Sequence, residues 1–214
     1  MTWSYVIKST RYRWAIAFCA GMISLMVLYM PTYYEEIIQT KPGIILNDLI
    51  LNAFIPRNWS ITIFIILYAS LVHIIYVSVK NPNAIVVGMT TYCAVNLIRM
   101  GTMYTLTLEP PPGMILLVDP IATWLVYPDS GFAKDLFFSG HVSSMMAIVL
   151  VESNKRIKIL KIVATVVVGV LLAWQHVHYT LDLVVAPFVT YAVFTIVRRL
   201  VERPGETNGL TIAT

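Results

Sequence analysis

Charge is scarce in this chain. Only 12% of its residues are Asp, Glu, Lys or Arg, against 58% hydrophobic, where a soluble domain carries about 25% charged residues. That scarcity excludes a protein whose whole surface faces water. It implies a polytopic membrane protein with no separate soluble domain, and a mean hydropathy of +0.76 agrees. Cysteine is scarcer still: Cys19 and Cys93 are the two in the chain, both inside apolar runs. Their placement excludes a disulfide framework and a zinc knuckle. A small-residue cleavage site is also missing behind the first apolar run, where "YMPTYYEE" stands instead. The run therefore reads as an uncleaved helix, not as a signal peptide.

What the chain has in abundance is long apolar runs. A spanning helix needs about 20 mainly apolar residues. Six segments qualify, near 14–31, 60–79, 84–106, 136–152, 157–175 and 179–197. Between them lie "KPG", "NPN", "PPPG" and "ESNKR", with "RPGE" after the last, all of them loop chemistry. The expected fold class is all-α, a six-helix membrane bundle forming one domain over residues 1–214. Within it we expect an N-terminal anchor helix at 1–31, a core at about 45–200 and a tail at 204–214. The stretch "KPGIILNDLILNAF" has apolar residues at helical spacing and stops before Pro56. It is expected to form an amphipathic helix lying in the membrane interface.

The formal net charge of +4 has a topological origin. With the N-terminus inside, Lys8, Arg11, Arg13, Lys80, Lys155, Arg156, Lys158, Lys161, Arg198, Arg199 and Arg203 are all cytoplasmic. Lys41, Arg57 and Lys134 lie outside, with Glu35, Glu36, Asp48, Glu109, Asp119, Asp129 and Asp135. This is the positive-inside pattern. It puts both termini in the cytoplasm and leaves no call for a nucleic-acid partner. A bacterial inner membrane is the expected location.

Ionisable residues at membrane depth are functional suspects by default. Arg99, His141, His178 and Asp182 stand out, with His73 and His176 as weaker cases. His73 reads as a packing residue. Spans four and six both begin on the outer side, so "SGH" at 139–141 and "HYTLD" at 178–182 share one depth. His178 and Asp182 are at i and i+4, neighbours on one helix face. A carboxylate bound to one imidazole nitrogen fixes the tautomer and frees the other nitrogen to attack. His141 is then a second histidine, free to protonate a leaving oxygen. Gly140 permits close approach of backbone to a ligand. Ser139 and the helix-start amides beside it can donate to an anion. Together these residues fit a phosphate ester. A metal on "HVH" with Asp182 is the rival reading, but no cysteine or further carboxylate completes it, so neither metal nor cofactor is expected.

These motifs carry a resemblance. Asp135, "LFF" and Ser139-Gly140-His141, followed by "HYTLDLVVA" from His178 to Ala186, resemble the type 2 phosphatidic acid phosphatase superfamily. The upstream "RMGTMYTLTLEPPPGM", Arg99 to Met114, resembles a third motif of its sphingomyelin synthase branch. The chain lacks the wider superfamily's lysine-to-arginine-proline motif. It also has Leu171 and Leu172 where that superfamily has a serine-arginine pair before the second histidine, as the synthase branch does. Its short form is similar to bacterial relatives.

The resemblance implies that His178 is the nucleophile, Asp182 its activating partner, and His141 the acid for the departing lipid alcohol. Asp135 takes a supporting role. Phosphate charge falls to Arg99 or Lys134, with Arg99 preferred because a buried guanidinium needs an anion. If the headgroup is choline, aromatic faces should surround it. Tyr104, Trp124, Tyr127, Phe137 and Tyr179 are candidates, though each alone reads more readily as an interfacial belt residue. The implied activity is transfer of a phosphoryl headgroup from a glycerophospholipid to ceramide or diacylglycerol through a phosphohistidine. The alternative is a lipid-phosphate phosphatase or phospholipase C-type hydrolase using the same groups. A phospholipid donor, a lipid-alcohol acceptor and the membrane are the expected partners, and the reading leaves room for a homo-oligomer.

Overall fold

Each long apolar run becomes a helix. The computed structural model describes residues 2–119 and 133–202. Trp124, Tyr127, Asp129, Arg203 and the tail at 204–214 lie outside the described residues. The principal helices are α1 (Trp3–Lys8), α2 (Thr10–Leu28), α3 (Ser60–Lys80), α4 (Pro82–Thr105), α5 (Gly140–Val151), α6 (Lys155–Trp174) and α7 (Thr180–Val201). Among the described residues β-pairing is confined to one isolated bridge, Ile44 to Leu108.

Five of these helices, α2, α3, α4, α6 and α7, are long and apolar enough to cross a membrane. The sixth expected span is different. The segment 136–152 contains a helix of only 12 residues, α5, about 18 Å at 1.5 Å per residue. That is short of a hydrocarbon core about 30 Å thick. Its start is fixed by Ser139, whose extended backbone (φ −57°, ψ 119°) and side chain cap the first turn. Lys134 to Ser139 therefore enters the bundle as non-helical chain. Among the described residues, the six expected spans appear as five long helices and one short central one.

Short α5 is walled in by α3, α4, α6 and α7. Val142, Met145, Val149 and Val151 are all buried, as are Val87, Val168, Leu172 and Ala186 on its neighbours. Outward faces carry exposed apolar residues such as Trp14, Val72, Leu160 and Phe188, the pattern of helices solvated by lipid. α2, within the expected N-terminal anchor, lies against α4. Cys19 and Cys93 meet there as free, buried thiols.

The end of the bundle that carries the basic loops is closed by paired polar groups. Lys161 meets Glu152 at 2.8 Å and Arg198 meets Glu202 at 2.8 Å. Tyr12 donates to Asn83 at 2.5 Å, and Asn83 donates to Glu202 at 2.6 Å. Buried charges need such partners. His73, read as a packing residue, lies 3.7 Å from Glu152.

The stretch 41–54 is not the expected amphipathic helix. Only Leu51–Ala53 makes a 3-10 turn, and Tyr33–Ile38 before it is a π-helical turn. The rest is non-helical chain with a turn at 49–50, because its backbone pairs elsewhere. Ile44 N donates to Thr107 O at 3.0 Å and Glu109 N returns a bond to Ile44 O at 3.0 Å. Asp48 takes the amides of Ile50 and Leu51. The segment still exposes Ile44, Ile45, Leu49, Ile50 and Ile55.

Gly43 makes that pairing possible. A Cβ there would lie 2.7 Å from Leu108 C and 2.8 Å from Glu109 N, both backbone atoms. Gly43→Ala is expected to cost about 1–3 kcal/mol, the usual penalty of overpacking. Thermal unfolding of the detergent-solubilised protein measures it, and an unchanged midpoint would contradict the pairing.

Candidate active site

Two helix starts meet in the interior at the end of the bundle opposite Glu152 and Glu202. Ser139 is the N-cap of α5, its side chain accepting from Val142 N at 3.4 Å. α7 begins one residue after Tyr179, whose backbone is extended (φ −68°, ψ 153°). Asp182, three residues into that turn, accepts from Tyr179 N at 3.0 Å. The starts are tied together: Ser139 N donates to the Asp182 carbonyl at 3.2 Å. Ser139, Tyr179 and Asp182 are all essentially inaccessible.

This junction brings the two histidine motifs together across the bundle. The rings of His141 and His178 are 6.4 Å apart, inclined at 63°. His178 Nδ1 faces Asp182 Oδ2 at 3.6 Å, just beyond hydrogen-bond length. Both are buried, and neither His178 Nδ1 nor Asp182 Oδ1 has a hydrogen-bond partner among the described residues. The i, i+4 spacing placed them on one helix face, whereas the structure puts His178 before the helix and Asp182 in its first turn. Asp182 therefore serves the helix start and the imidazole at once.

Arg99, on α4, reaches this junction with each of its three guanidinium nitrogens bonded. Nε donates to Phe138 O at 2.7 Å, Nη1 to Asn96 at 3.3 Å and Nη2 to Asp135 at 2.5 Å. Asp135 is thus the anion that Arg99 holds. Gly140 has a different task from the one its sequence suggested. A Cβ there would sit 2.5 Å from Arg99 Nη1 and 2.8 Å from its Cζ. The space is filled by the guanidinium, not left for a ligand. The bonds that pin Arg99 leave it little freedom to yield.

The other candidates have partners of their own. Lys134 donates to Glu109 at 2.8 Å and to the Lys41 carbonyl at 2.9 Å. That pairing is the chief reason Glu109 is held below the usual carboxylate range. Tyr104 is half-exposed, with the Lys41 ammonium 4.1 Å over its ring. Tyr179 is buried and donates its hydroxyl to Glu109 O at 3.0 Å. Phe137 packs edge-on to Phe138. His176 has left-handed backbone (φ 58°), and its Nδ1 lies 2.8 Å from Pro112 O. Since that carbonyl can only accept, Nδ1 is the protonated nitrogen.

Sequence reasoning missed the aromatic wall on α3. Phe64 stands edge-on to His141, centroids 5.8 Å apart, and stacks on Tyr68. Tyr68 in turn donates to both oxygens of Asp119 at 2.7 and 2.8 Å. Nothing in an apolar run marks those two rings. A cavity of about 250 Å³ lies on the other side of the 176–179 turn, lined by Leu46, Asp48, Leu51, Pro112, His176 and Tyr179 among others. Neither His141 nor His178 lines it. Among the described residues, no three His, Cys, Asp or Glu side chains converge as a metal site.

Gly140→Ala is the sharp test of the Arg99 clamp. It should displace the guanidinium and lower any turnover at this site by about 10-fold or more, since small misplacements are costly in preorganised sites. Turnover at the wild-type level in a folded variant would show that the clamp is dispensable.

No curated protein matches the chain. Residues 134–199 match the family model of the PAP2 superfamily C-terminal region. The match takes in both histidine motifs and leaves Arg99 and the 41–54 segment outside. The match covers 66 of the 214 residues and takes in the two histidines and the aspartate gathered at one end of the all-helical bundle, so the likeness to the PAP2 superfamily rests on that segment.

Proposed function

We propose that this protein transfers the phosphoryl headgroup of a glycerophospholipid to a lipid alcohol, ceramide or diacylglycerol, in the manner of sphingomyelin synthases. The observation that carries the reading is the pairing of two histidines 6.4 Å apart with a buried carboxylate 3.6 Å from one of them.

In this mechanism Asp182 holds the proton on His178 Nδ1, so Nε2 attacks phosphorus. A new N–P bond forms and the P–O bond to diacylglycerol breaks. Protonated His141 gives its proton to that departing oxygen. Neutral His141 then takes the proton of the incoming alcohol, whose oxygen attacks phosphorus and releases His178. Each residue ends as it began. Arg99 and Asp135 fix the backbone at Phe138 and so the start of α5, which carries His141.

The site is assigned to the extracytoplasmic face because the opposite end of the bundle carries the basic loops. A Cys at exposed Glu35 should then react with an impermeant maleimide on intact cells. A Cys at exposed Lys155 should react only after permeabilisation. The reverse pattern would invert the assignment.

The activity itself is tested with purified protein and a labelled phospholipid, with and without lipid alcohol. Transfer predicts a new phospholipid that appears only with acceptor. Free phosphate or phosphorylated headgroup without acceptor would make the protein a hydrolase using the same groups. His178→Ala should abolish turnover. His141→Ala should lower it about 10²–10⁴-fold, and Asp182→Asn by a similar factor through the wrong tautomer. Full turnover in all three would overturn the site.

A further inference from the structure

The turn that carries His178 is held from outside by residues far away in sequence. His176 binds Pro112 O, and Tyr179 binds Glu109 O while accepting from Leu46 N at 3.3 Å. The tightest of these ties is made by Asp48. Its Oδ2 accepts from Thr180 N at 2.7 Å and its Oδ1 from Thr180 Oγ1 at 3.0 Å. Thr180 is the first residue of α7, two after His178 and two before Asp182.

Asp48 is aimed before it binds. Oδ1 also accepts from Ile50 N at 3.1 Å and Leu51 N at 3.2 Å, within its own loop. That turn fixes the carboxylate plane and points Oδ2 at Thr180. Burial pushes the Asp48 carboxyl up, but the hydrogen bonds from Thr180, Leu51 and Ile50 outweigh it and hold it below the usual range. Its negative charge lies at the start of α7, where the helix dipole favours it. Among the described residues no cation forms an ion pair with it. Its work is directed at amides and one hydroxyl.

We propose that Asp48 is a positioning residue for the catalytic turn, acting through Thr180 to set His178 against Asp182 and His141. The inference rests on the phosphoryl-transfer reading. Asp48 lies outside the residues that match the PAP2 model, so the 41–54 loop supplies the turn with a support that the matched segment does not contain. Without it the first residue of α7 loses two bonds, and the His178–Asp182 separation, already at 3.6 Å, is no longer fixed from outside.

The test uses Asp48→Asn, Thr180→Ser, Thr180→Val and the double variant Asp48→Asn/Thr180→Val, with His178→Ala as reference. Labelled phospholipid and lipid alcohol are the substrates, in detergent micelles. Asn keeps the shape but turns an NH2 toward donors. Asp48→Asn should lower kcat about 10–100-fold, the cost of roughly an ångström of misplacement. Its KM for phospholipid should stay within about threefold of wild type, because turn geometry and not binding is lost. Thr180→Ser keeps the hydroxyl and should stay near wild type, whereas Thr180→Val should lower kcat several-fold. The double variant should match Asp48→Asn, since coupled residues are not additive.

Unchanged kcat in Asp48→Asn with an inactive His178→Ala overturns the Asp48 role alone. A raised KM at constant kcat, or independent effects in the double variant, does the same. If Asp48→Asn does not fold, the Thr180 pair decides: equal activity of Ser and Val overturns the proposal. An active His178→Ala overturns the phosphoryl-transfer reading and this inference with it.

Discussion

Burying the start of a helix is expensive, and this fold does it twice. The first amides of any helix have no partner within it, and inside a membrane protein water is not there to replace one. α5 and α7 both begin among inaccessible residues. Ser139 caps the first and Asp182 the second, and a backbone bond from Ser139 to Asp182 joins them. Each motif residue that closes a helix start lies close in sequence to a histidine. The solution of a backbone problem thus fixes where two imidazoles stand.

The same economy extends outward. Arg99 braces the approach to α5 through Phe138 O and Asp135, and Gly140 gives way to it. Asp48 braces α7 through Thr180. These braces come from α4 and from the 41–54 loop, which are separated by a whole span. Arg99 is a buried charge and needs its partners, whereas Asp48 is only half-buried and is directed by fixed hydrogen bonds. At the other end of the bundle, Glu152 with Lys161 and Glu202 with Arg198 meet the same requirement without a histidine pair between them.

Much of this was legible in the chain. Apolar run length located α2, α3, α4, α6 and α7 to within a few residues, because the bilayer sets helix length directly. The 136–152 run was read as a full span, since hydropathy does not register that Ser139 stops the helix from extending outward. The 41–54 stretch was read as a helix because its apolar spacing fits one. Its bonds to Thr107, Glu109 and Thr180 lie more than 60 residues away in sequence and override that local preference.

Composition and run length were enough to make this a helical membrane protein and to single out two histidines and an aspartate. Charge scarcity and the cost of ionisable groups at depth suffice for that, being properties of residues one at a time. Tertiary structure alone decided which groups face which. Arg99 could have met a ligand, but it holds Asp135 and fills the space over Gly140. Lys134 could have met phosphate, but it pairs with Glu109. Asp48, one outer acid among several, turned out to grip the start of α7. Pairing depends on the distances between segments, and no local pattern in the chain encodes those distances.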